Sequence, residues 1–454
     1  MNPETKEATA LSIGNMVRET RSKILNAALN PVREFVTDPV VKEACARVGH
    51  AWRASLWSPT LCLLACVWKQ LQTTSARQVE DWIATLGLSE SSFRDGKDFC
   101  DARKRLPFEV FYDVMQHVGR KATARSAKCF HSLPVWLMDG TTLRTPNTAA
   151  NEAAFGRSKN KIRFSRSPIL RLLSMVCAGC GAVLGVAIGG YRTSEVELLL
   201  SLLKQIPAGG LVLADRGLSS YLIFGSIRQR GAHLLTRYHA TRRSRKAKSF
   251  GRYEWLEEWE RPAPSHSTHP ELLSGLPQTI EVRVITRVIR KRGYRDWTLK
   301  IVTTLTDRHT YPADELRDLY LQRWDIELDL RALKTHASMA QLTTKTPDLV
   351  RKEICSIMLA HNCVVAVMGD SGMPVRSLSH TRARQLLLTF AERMAAAPTI
   401  ALPRLYRELL KLISESTLDQ RKRAPQPRSL VQRASPYPVL MTSRDAWRRA
   451  QRVA

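Results

Sequence analysis

A run of short apolar segments, alternating with amphipathic ones between residues 135 and 238, constrains the fold of this chain more than any other feature. The apolar segments are short enough for strands, and the amphipathic ones have helical spacing. This order of elements predicts a mixed β-sheet with helices on its faces, an α/β fold. The predicted strands occupy residues 135–139, 169–177, 183–188, 211–215 and 232–238, and the predicted helices occupy 194–206 and 218–230.

The charge balance of the chain is strongly positive. Lys and Arg number 70 against 41 Asp and Glu, a formal net charge of +29 over 454 residues. An excess of this size favours a polyanionic partner, most simply nucleic acid, because releasing counterions from phosphates drives binding. A membrane surface is the weaker alternative, since the longest apolar run, at 61–68, is too short to cross a bilayer.

Sequence features also indicate the compartment. The first residues, MNPETKEATA, lack the basic-then-apolar order of a signal peptide. Nine scattered cysteines, an odd number in a long chain, suit a reducing environment. We therefore expect a cytoplasmic protein.

Two of the predicted strands end in an aspartate. The segments are LMDGTT, which contains Asp139, and LADRGL, which contains Asp215. Because sites in open α/β sheets gather at the carboxyl ends of strands, aspartates on neighbouring strand ends would lie close together. Their like charges would require a cation, and Mg²⁺ is the natural candidate because it prefers hard oxygen ligands. The alternative is that each Asp begins a turn and has no other role.

The charged stretch LYLQRWDIELDLRALK at 319–334 is predicted to be helical. At roughly 100° per residue, four of its side chains share an arc of about 60°. These four are Tyr320, Arg323, Glu327 and Lys334. The acids at 325 and 329 fall on the other side, so Glu327 is the one acid on that face. From the residues alone, the face is either an ordinary solvated surface or part of a site.

Those four residues have the spacing Y-x2-R-x3-E-x6-K, and in this the chain resembles the insertion-sequence-four family of DDE transposases. The segment DGTTLRTPNTAANEAAFG at 139–156 is similar to the family's first-aspartate region, and LVLADRGLSS at 211–220 is similar to its second. The resemblance covers about residues 130–340. One departure is Asn147, which stands where an acid is expected.

The resemblance implies a ribonuclease-H-like core with three catalytic carboxylates, Asp139, Asp215 and Glu327. These would also be the ligands of two divalent ions, Mg²⁺ or Mn²⁺, one for the attacking oxygen and one for the leaving oxygen. The implied partners are double-stranded DNA, as terminal inverted repeats and as target, and a second copy of the chain in a DNA-bound homodimer. In related enzymes the ends pass through hairpins, and a bacterial nucleoid would be the place of action.

DNA contacts are expected on the signature helix and on basic segments. The resemblance implies that Tyr320, Arg323 and Lys334 grip the DNA backbone, and Arg323 can hold a phosphate in a bidentate fork. Trp297 and Trp324 are candidates for stacking a flipped base, with core packing as the alternative. Basic residues expected either at phosphates or on a solvated face are Arg157, Lys159, Lys161, Arg163, Arg290 and Arg292.

The implied organisation has three parts. Residues 1–130 are predicted to be a helical N-terminal DNA-binding domain, in which the segment 75–105 has the outline of a helix-turn-helix or of two simply packed helices. Residues 131–340 would be the catalytic domain, with a β-rich insertion at about 239–310. Residues 341–454 would be helical and end in a basic tail.

Two other functions fit parts of the pattern. A different two-metal nuclease of the same fold would share the three carboxylates, but the tyrosine, arginine and lysine beside Glu327 would then be unexplained. A non-catalytic DNA-binding regulator would explain the charge, but not the presence of all three carboxylates.

Overall fold

The computed structural model describes residues 32, 34–53, 56–85, 95–124, 129–158, 165–239, 245–290, 296–323, 339, 342–418 and 449, apart from the side chains at 246 and 266. Its contacts divide the chain into two units. The main unit comprises residues 1–287 and 300–418, and the second comprises 288–299 and 419–454.

Helices precede, interrupt and follow the strands. The α-helices are α1 (Asp38–Arg47), α2 (Pro59–Gln72), α3 (Ala76–Thr85), α4 (Lys97–Arg105), α5 (Phe108–Ala124), α6 (Ala149–Phe155), α7 (Glu195–Leu202), α8 (Tyr221–Gln229), α9 (Pro270–Ser274), α10 (Ala313–Leu321), α11 (Pro347–Asp370), α12 (His380–Ala395) and α13 (Leu402–Ser414). The strands are β1 (Cys129–Phe130), β2 (Leu133–Arg144), β3 (Ile169–Cys177), β4 (Val183–Gly190), β5 (Leu211–Ala214), β6 (His233–Arg237), β7 (Arg245–Gly251), β8 (Glu254–Glu260), β9 (Thr279–Ile289) and β10 (Trp297–Thr303).

One mixed sheet organises the main unit. Its strand order is β4-β3-β2-β5-β6-β10-β9-β8-β7, with β1 paired to β2. β2, β5 and β6 are parallel neighbours, whereas β3 and β4 form the antiparallel hairpin expected from the sequence. The Ser194–Glu197 capping box is also present at the start of α7. The prediction of an α/β fold with a mixed sheet is therefore confirmed.

The strands of the segment 239–310 continue this sheet. β10 pairs antiparallel with β6, from Ile301 opposite Arg237 to Thr303 opposite Leu235. β9 and β8 follow in the order of the sheet. The sequence predicted strands in this segment but not which strand of the sheet they pair with. Residues of β10 and β6 that pair, such as Ile301 and Arg237, are far apart in sequence, so no pattern of neighbouring residues indicates the pairing.

A buried asparagine joins the C-terminal region to the sheet and to α5. Asn362 of α11 is fully buried, and its amide nitrogen donates to the carbonyls of Met115 (3.0 Å) and Val183 (2.8 Å). Its side-chain oxygen accepts from the Val183 N–H at 2.7 Å. Gly119 permits this close approach, because a Cβ there would lie 2.4 Å from the Val183 carbonyl oxygen. α5, β4 and α11 therefore pack as one core.

Helix α11 is the central core helix. It is 24 residues long, with a window of mean hydropathy 1.3 that meets the length and composition of a membrane span, but 89% of that window is buried within the protein. Lys352 of α11 donates to the carbonyls of Arg103 (3.2 Å) and Lys104 (3.1 Å) at the end of α4. Helices before residue 130 and after residue 340 thus belong to the main unit, and the predicted domain boundaries stay predictions.

The segment 75–105 contains two helices, α3 and α4. Ser75 and Gln78 exchange hydrogen bonds between side chain and backbone at the start of α3. The buried carboxylate of Glu80 accepts from the N–H groups of Gly96 (2.8 Å) and Phe99 (3.0 Å). This carboxylate satisfies donors at the start of α4 and holds the pair together. A DNA-reading role for the pair stays a prediction.

Candidate active site

Asp139 lies within β2, directly after the buried residues 135–138. β3 pairs with β2 at Asp139 itself, opposite Ser174, and β5 pairs with β2 up to Leu137, two residues before it. Oδ1 of Asp139 accepts a hydrogen bond of 2.9 Å from the N–H of Gly140. The carboxylate is therefore oriented by its own strand.

Asp215 follows β5, whose four residues are buried, and precedes a short 3-10 turn at Arg216–Leu218. The parallel register of β2 and β5 places Leu137 opposite Leu213. Asp139 and Asp215 each stand two residues further along, so they occupy equivalent positions on adjacent strands. Adjacent strands are about 4.8 Å apart. The structure thus brings the two predicted aspartates together at one edge of the sheet.

Arg323 lies between these two carboxylates. One terminal nitrogen of its guanidinium is 4.0 Å from Oδ2 of Asp139, and the other is 3.9 Å from Oδ1 of Asp215. Its side chain is 9% exposed, against 22% for Asp139 and 48% for Asp215. Both distances are too long for hydrogen bonds but short enough for strong charge attraction. A single cation therefore offsets the repulsion between two acids.

Tyr320 is buried beneath this arrangement. Its side chain is 4% exposed, and its hydroxyl donates to the carbonyl of Ala214, the residue before Asp215, over a long 3.4 Å. Burial raises the pKa of Tyr320 to about 12. The Arg323 guanidinium carbon lies 6.0 Å from the centre of its ring. Tyr320 thus fixes the end of α10 against the end of β5, and its predicted contact with DNA stays a prediction.

The predicted helix at 319–334 is described only at its beginning. α10 starts after Pro312 and ends at Leu321. The other predicted members of its face, Glu327 and Lys334, lie outside the described residues, as does Trp324. The prediction of one unbroken helix over 319–334 is wrong at residues 322 and 323, because α10 ends at Leu321 and Arg323 lies in the turn that follows. Tyr320 and Arg323 nevertheless lie together at the two aspartates.

The donor set at this edge suits a divalent cation. Asp139 and Asp215 offer hard carboxylate oxygens, which are the ligands that Mg²⁺ prefers, and the attraction of both for the Arg323 cation shows that positive charge is favoured between them. Within the described ranges, no three Asp, Glu, His or Cys side chains converge closely enough to hold one ion by themselves. Glu327, the third predicted ligand, falls in the segment 324–338 and is not among those residues.

A further carboxylate, that of Glu195, lies at the same edge and has no assigned role from the sequence. A Cβ built on Gly140 would lie 2.8 Å from its Oε1, and one built on Gly217 would lie 3.2 Å from its Oε2. Glu195 therefore fits into the space left by two glycines, one directly after Asp139 and one two residues after Asp215. The sequence contains one indication of this contact, a glycine one residue after Asp139 and another two residues after Asp215, since glycine leaves room for a side chain from elsewhere in the chain.

Arg157 makes contacts within the protein. Its guanidinium donates to the carbonyls of Ser165 (2.9 Å) and Arg166 (2.8 Å) and pairs with Glu152 at 2.8 Å. It also donates to the side-chain oxygen of Asn147, so the amide at this unusual position accepts a bond that an acid would also accept. These contacts give Arg157 a structural role. A phosphate contact, which stays a prediction, would have to replace some of them.

Two other predicted DNA contacts belong to the second unit. Trp297 is 41% exposed, as a stacking platform requires. Arg290 is exposed and pairs with Asp296 at 3.3 Å, a contact worth little in water. Their contacts with DNA stay predictions. The remaining basic residues that were predicted to contact DNA, namely Lys159, Lys161, Arg163 and Arg292, lie outside the described residues.

Comparison with known proteins identifies the family. The family model for the transposase DDE domain matches residues 131–363, about half of the chain, and includes β2, β5, Arg323 and most of α11. The chain belongs to the transposase DDE domain family. Both aspartates of the sheet edge, Asp139 and Asp215, lie within the matched range, and their assignment as the first two acids of the DDE set stays a prediction.

Individual relatives agree with this family. The chain is 25% identical over 350 residues to the transposase InsG for insertion sequence element IS4 of Escherichia coli (strain K12), covering 74% of this chain and 77% of that protein. This match confirms the predicted resemblance to the insertion-sequence-four family. Among solved structures, a piggyBac transposase synaptic complex with hairpin DNA matches with a TM-score of 0.43 and 12% identity, covering 88% of this chain and 86% of that one.

Proposed function

We propose that this protein is a DNA transposase that cleaves the ends of its element and joins them to target DNA. One observation carries the proposal: Asp139 and Asp215 meet on adjacent parallel strands, with Arg323 between them, in a chain of the transposase DDE domain family. The relative InsG is named a transposase. The net charge of +29 suits a protein that holds DNA.

The proposed chemistry is phosphoryl transfer with two divalent ions, Mg²⁺ or Mn²⁺. Asp139 and Asp215 would hold the ions together with Glu327, the proposed third carboxylate. Such ions activate a water or a 3′-hydroxyl and stabilise the leaving oxygen. The sheet contributes the fixed spacing of the two aspartates, and Tyr320 holds the turn that carries Arg323. Arg323 then supplies a cation that can move from the carboxylates to the DNA phosphate.

The finer organisation is also proposed. The catalytic part would be ribonuclease-H-like and occupy residues 131–340. Residues 1–130 would help to bind the terminal inverted repeats, and the region after 340 would contribute to a homodimer on DNA. Lys334 would hold the backbone near the cleaved end. If the ends pass through hairpins, the exposed ring of Trp297 is the platform for a flipped base. The place of action would be the cytoplasm, at the nucleoid.

A cleavage assay tests this proposal. Purified protein is mixed with Mg²⁺ and a labelled duplex that carries one end of the element encoding the chain. We expect Asp139→Asn, Asp215→Asn and Glu327→Gln each to lower cleavage by at least about 1,000-fold, because each removes a proposed metal ligand. The control variants Asp325→Asn and Asp329→Asn should cleave like the parent. Parental cleavage by all three carboxylate variants would refute the assignment.

A second assay separates a transposase from a nuclease of the same fold. A pre-cut end with a free 3′-hydroxyl is supplied together with a supercoiled target plasmid. A transposase should join the end to the target, whereas a plain nuclease should leave the end unjoined. DNA binding without cleavage or joining, independent of metal, would instead indicate a regulator.

A further inference from the structure

The Glu195 carboxylate is the most informative group at the catalytic edge to which the proposed function gives no role. It is the first residue of α7, and its side chain is partly buried. Within the part of the chain that the structure describes, none of the hydrogen bonds or ion pairs involves this carboxylate. Its position is nevertheless closely defined, because its two oxygens lie against the backbone at Gly140 and Gly217.

Ordinary helix stabilisation does not account for this position. An acid in the first turn of a helix interacts favourably with the free N–H groups there, and Glu197 already fills that role by accepting from the N–H of Ser194 at 2.8 Å. Glu195 extends instead over the residues that follow Asp139 and Asp215. Its charge therefore adds to the negative potential of the two aspartates, and the one positive charge of Arg323 between them balances three acids only in part.

We propose that Glu195 is a positioning residue of the metal centre, a further carboxylate beside Asp139 and Asp215. It would accept hydrogen bonds from water molecules that divalent ions of the Mg²⁺ type retain, and so raise the affinity of the centre for these ions. This inference rests on the proposed function, since it assumes that the two aspartates hold the ions.

The glycines supply an independent way to move Glu195 without changing it. A methyl group on Gly140 would lie 2.8 Å from Oε1 and 3.1 Å from Cδ of Glu195. Gly140 does not have positive φ, so alanine is compatible with its backbone. Gly140→Ala should therefore displace the flexible Glu195 carboxylate and leave the fold intact.

The test measures binding of Mn²⁺ alone to the full-length protein by calorimetry or electron paramagnetic resonance. We expect Glu195→Gln to weaken Mn²⁺ binding by roughly 10- to 100-fold. Glu195→Asp should recover part of the affinity. The control Glu197→Gln removes the same charge from the same helix turn, and it should lower the melting temperature while leaving the Mn²⁺ affinity unchanged.

Two further measurements complete the test. The Mg²⁺ concentration for half-maximal cleavage should rise in Glu195→Gln by a similar factor, while the rate at saturating Mg²⁺ stays near the parent value. Gly140→Ala should weaken Mn²⁺ binding like Glu195→Gln, and the double variant should bind no more weakly than either single variant.

The outcomes distinguish this inference from the proposed function. If Asp139→Asn and Asp215→Asn bind Mn²⁺ as the parent does, the metal centre itself is wrongly assigned and the proposed function fails. If these two variants lose binding while Glu195→Gln retains the parental affinity, the proposed function stands and the role of Glu195 is refuted.

Discussion

Two buried arginines, Arg283 in the sheet extension and Arg323 at the catalytic edge, face acids in different ways. Arg283 is fully buried and contacts Glu254 at 2.7 and 2.9 Å, with a further bond of 2.6 Å to the Tyr311 carbonyl. Arg323 is nearly as buried, but its nitrogens lie 3.9 and 4.0 Å from two different carboxylates. The first arrangement is closed by short hydrogen bonds. In the second arrangement the guanidinium lies about 4 Å from each of two acids.

The different distances from these two arginines to their acids indicate which charged side chain stabilises the fold and which can bind a ligand. A buried ion pair is stable only when its hydrogen bonds are well made, and Arg283 meets that condition. Burial lowers the pKa of Arg283, although Glu254 opposes this effect. Charges that remain at 4 Å can exchange partners at lower cost when a metal ion or a phosphate arrives. We therefore expect Arg283 to contribute to stability and Arg323 to binding, and the predictions for these two arginines test that division.

The largest effect on stability is expected for Arg283→Met. Removing the guanidinium leaves the Glu254 carboxylate buried without its partner, so the free energy of unfolding should fall by about 3–5 kcal/mol. Urea unfolding at neutral pH measures this change. Arg287→Met is the matched control on the same strand, because the Arg287–Asp314 pair is partly exposed and should contribute less than about 1 kcal/mol. Equal losses for the two variants would contradict a structural role specific to Arg283.

Arg323→Met should lower the rate of DNA cleavage strongly and the stability of the protein only slightly, the reverse of Arg283→Met. Cleavage of the DNA end should fall by roughly 100-fold or more, because a cation at the reacting phosphate is lost. Without metal, the variant should be only modestly less stable than the parent, since the two aspartates then repel each other across a partly exposed site.

The effect of divalent ions on the melting temperature provides a further test of the role of Arg323. Added Mg²⁺ should raise the melting temperature of Arg323→Met more than that of the parent, because a bound ion replaces the missing charge between Asp139 and Asp215. Thermal unfolding with and without Mg²⁺ measures the difference. An equal or smaller shift in the variant would show that Arg323 does not neutralise the aspartates.

The smallest effect is expected for Tyr320→Phe. Its hydroxyl bond of 3.4 Å is long, so near pH 7 the loss should not exceed about 1 kcal/mol. The pKa of Tyr320 is raised by burial to about 12, above the value near 10 of an unfolded chain. The folded state therefore holds this proton more tightly. The stability that results is complete below about pH 10 and is lost as the pH rises towards 12.

The variant lacks this titration. The free energy of unfolding of Tyr320→Phe should therefore fall less steeply than that of the parent between about pH 10 and 12. Chemical unfolding at a series of pH values compares the two curves. Curves that remain parallel through this range would show that Tyr320 is not buried as a neutral phenol.

The local elements of the catalytic edge were predictable because they leave local patterns. Apolar runs of strand length predicted β2 and β5, and the aspartate at the end of each run predicted a site at the carboxyl ends. The hairpin of β3 and β4 and the capping box of α7 follow from spacings of a few residues. The sequence did not indicate a role for Glu195, because Gly140 and Gly217 are distant from it in sequence and contact it only in the folded protein.

By itself, the sequence determined the order of the main strands and helices, the position of Asp215 at the end of β5, the basic character and the family. These depend on periodicity, composition and short motifs, which any stretch of chain carries within itself. The strand end predicted at Asp139 was wrong, because β2 continues to Arg144 through its pairing with β3. The tertiary structure alone decided the register of Leu137 against Leu213, the position of Arg323 between two acids and the continuation of the sheet by β10. These depend on hydrogen bonds and charges between distant segments, which only packing brings together.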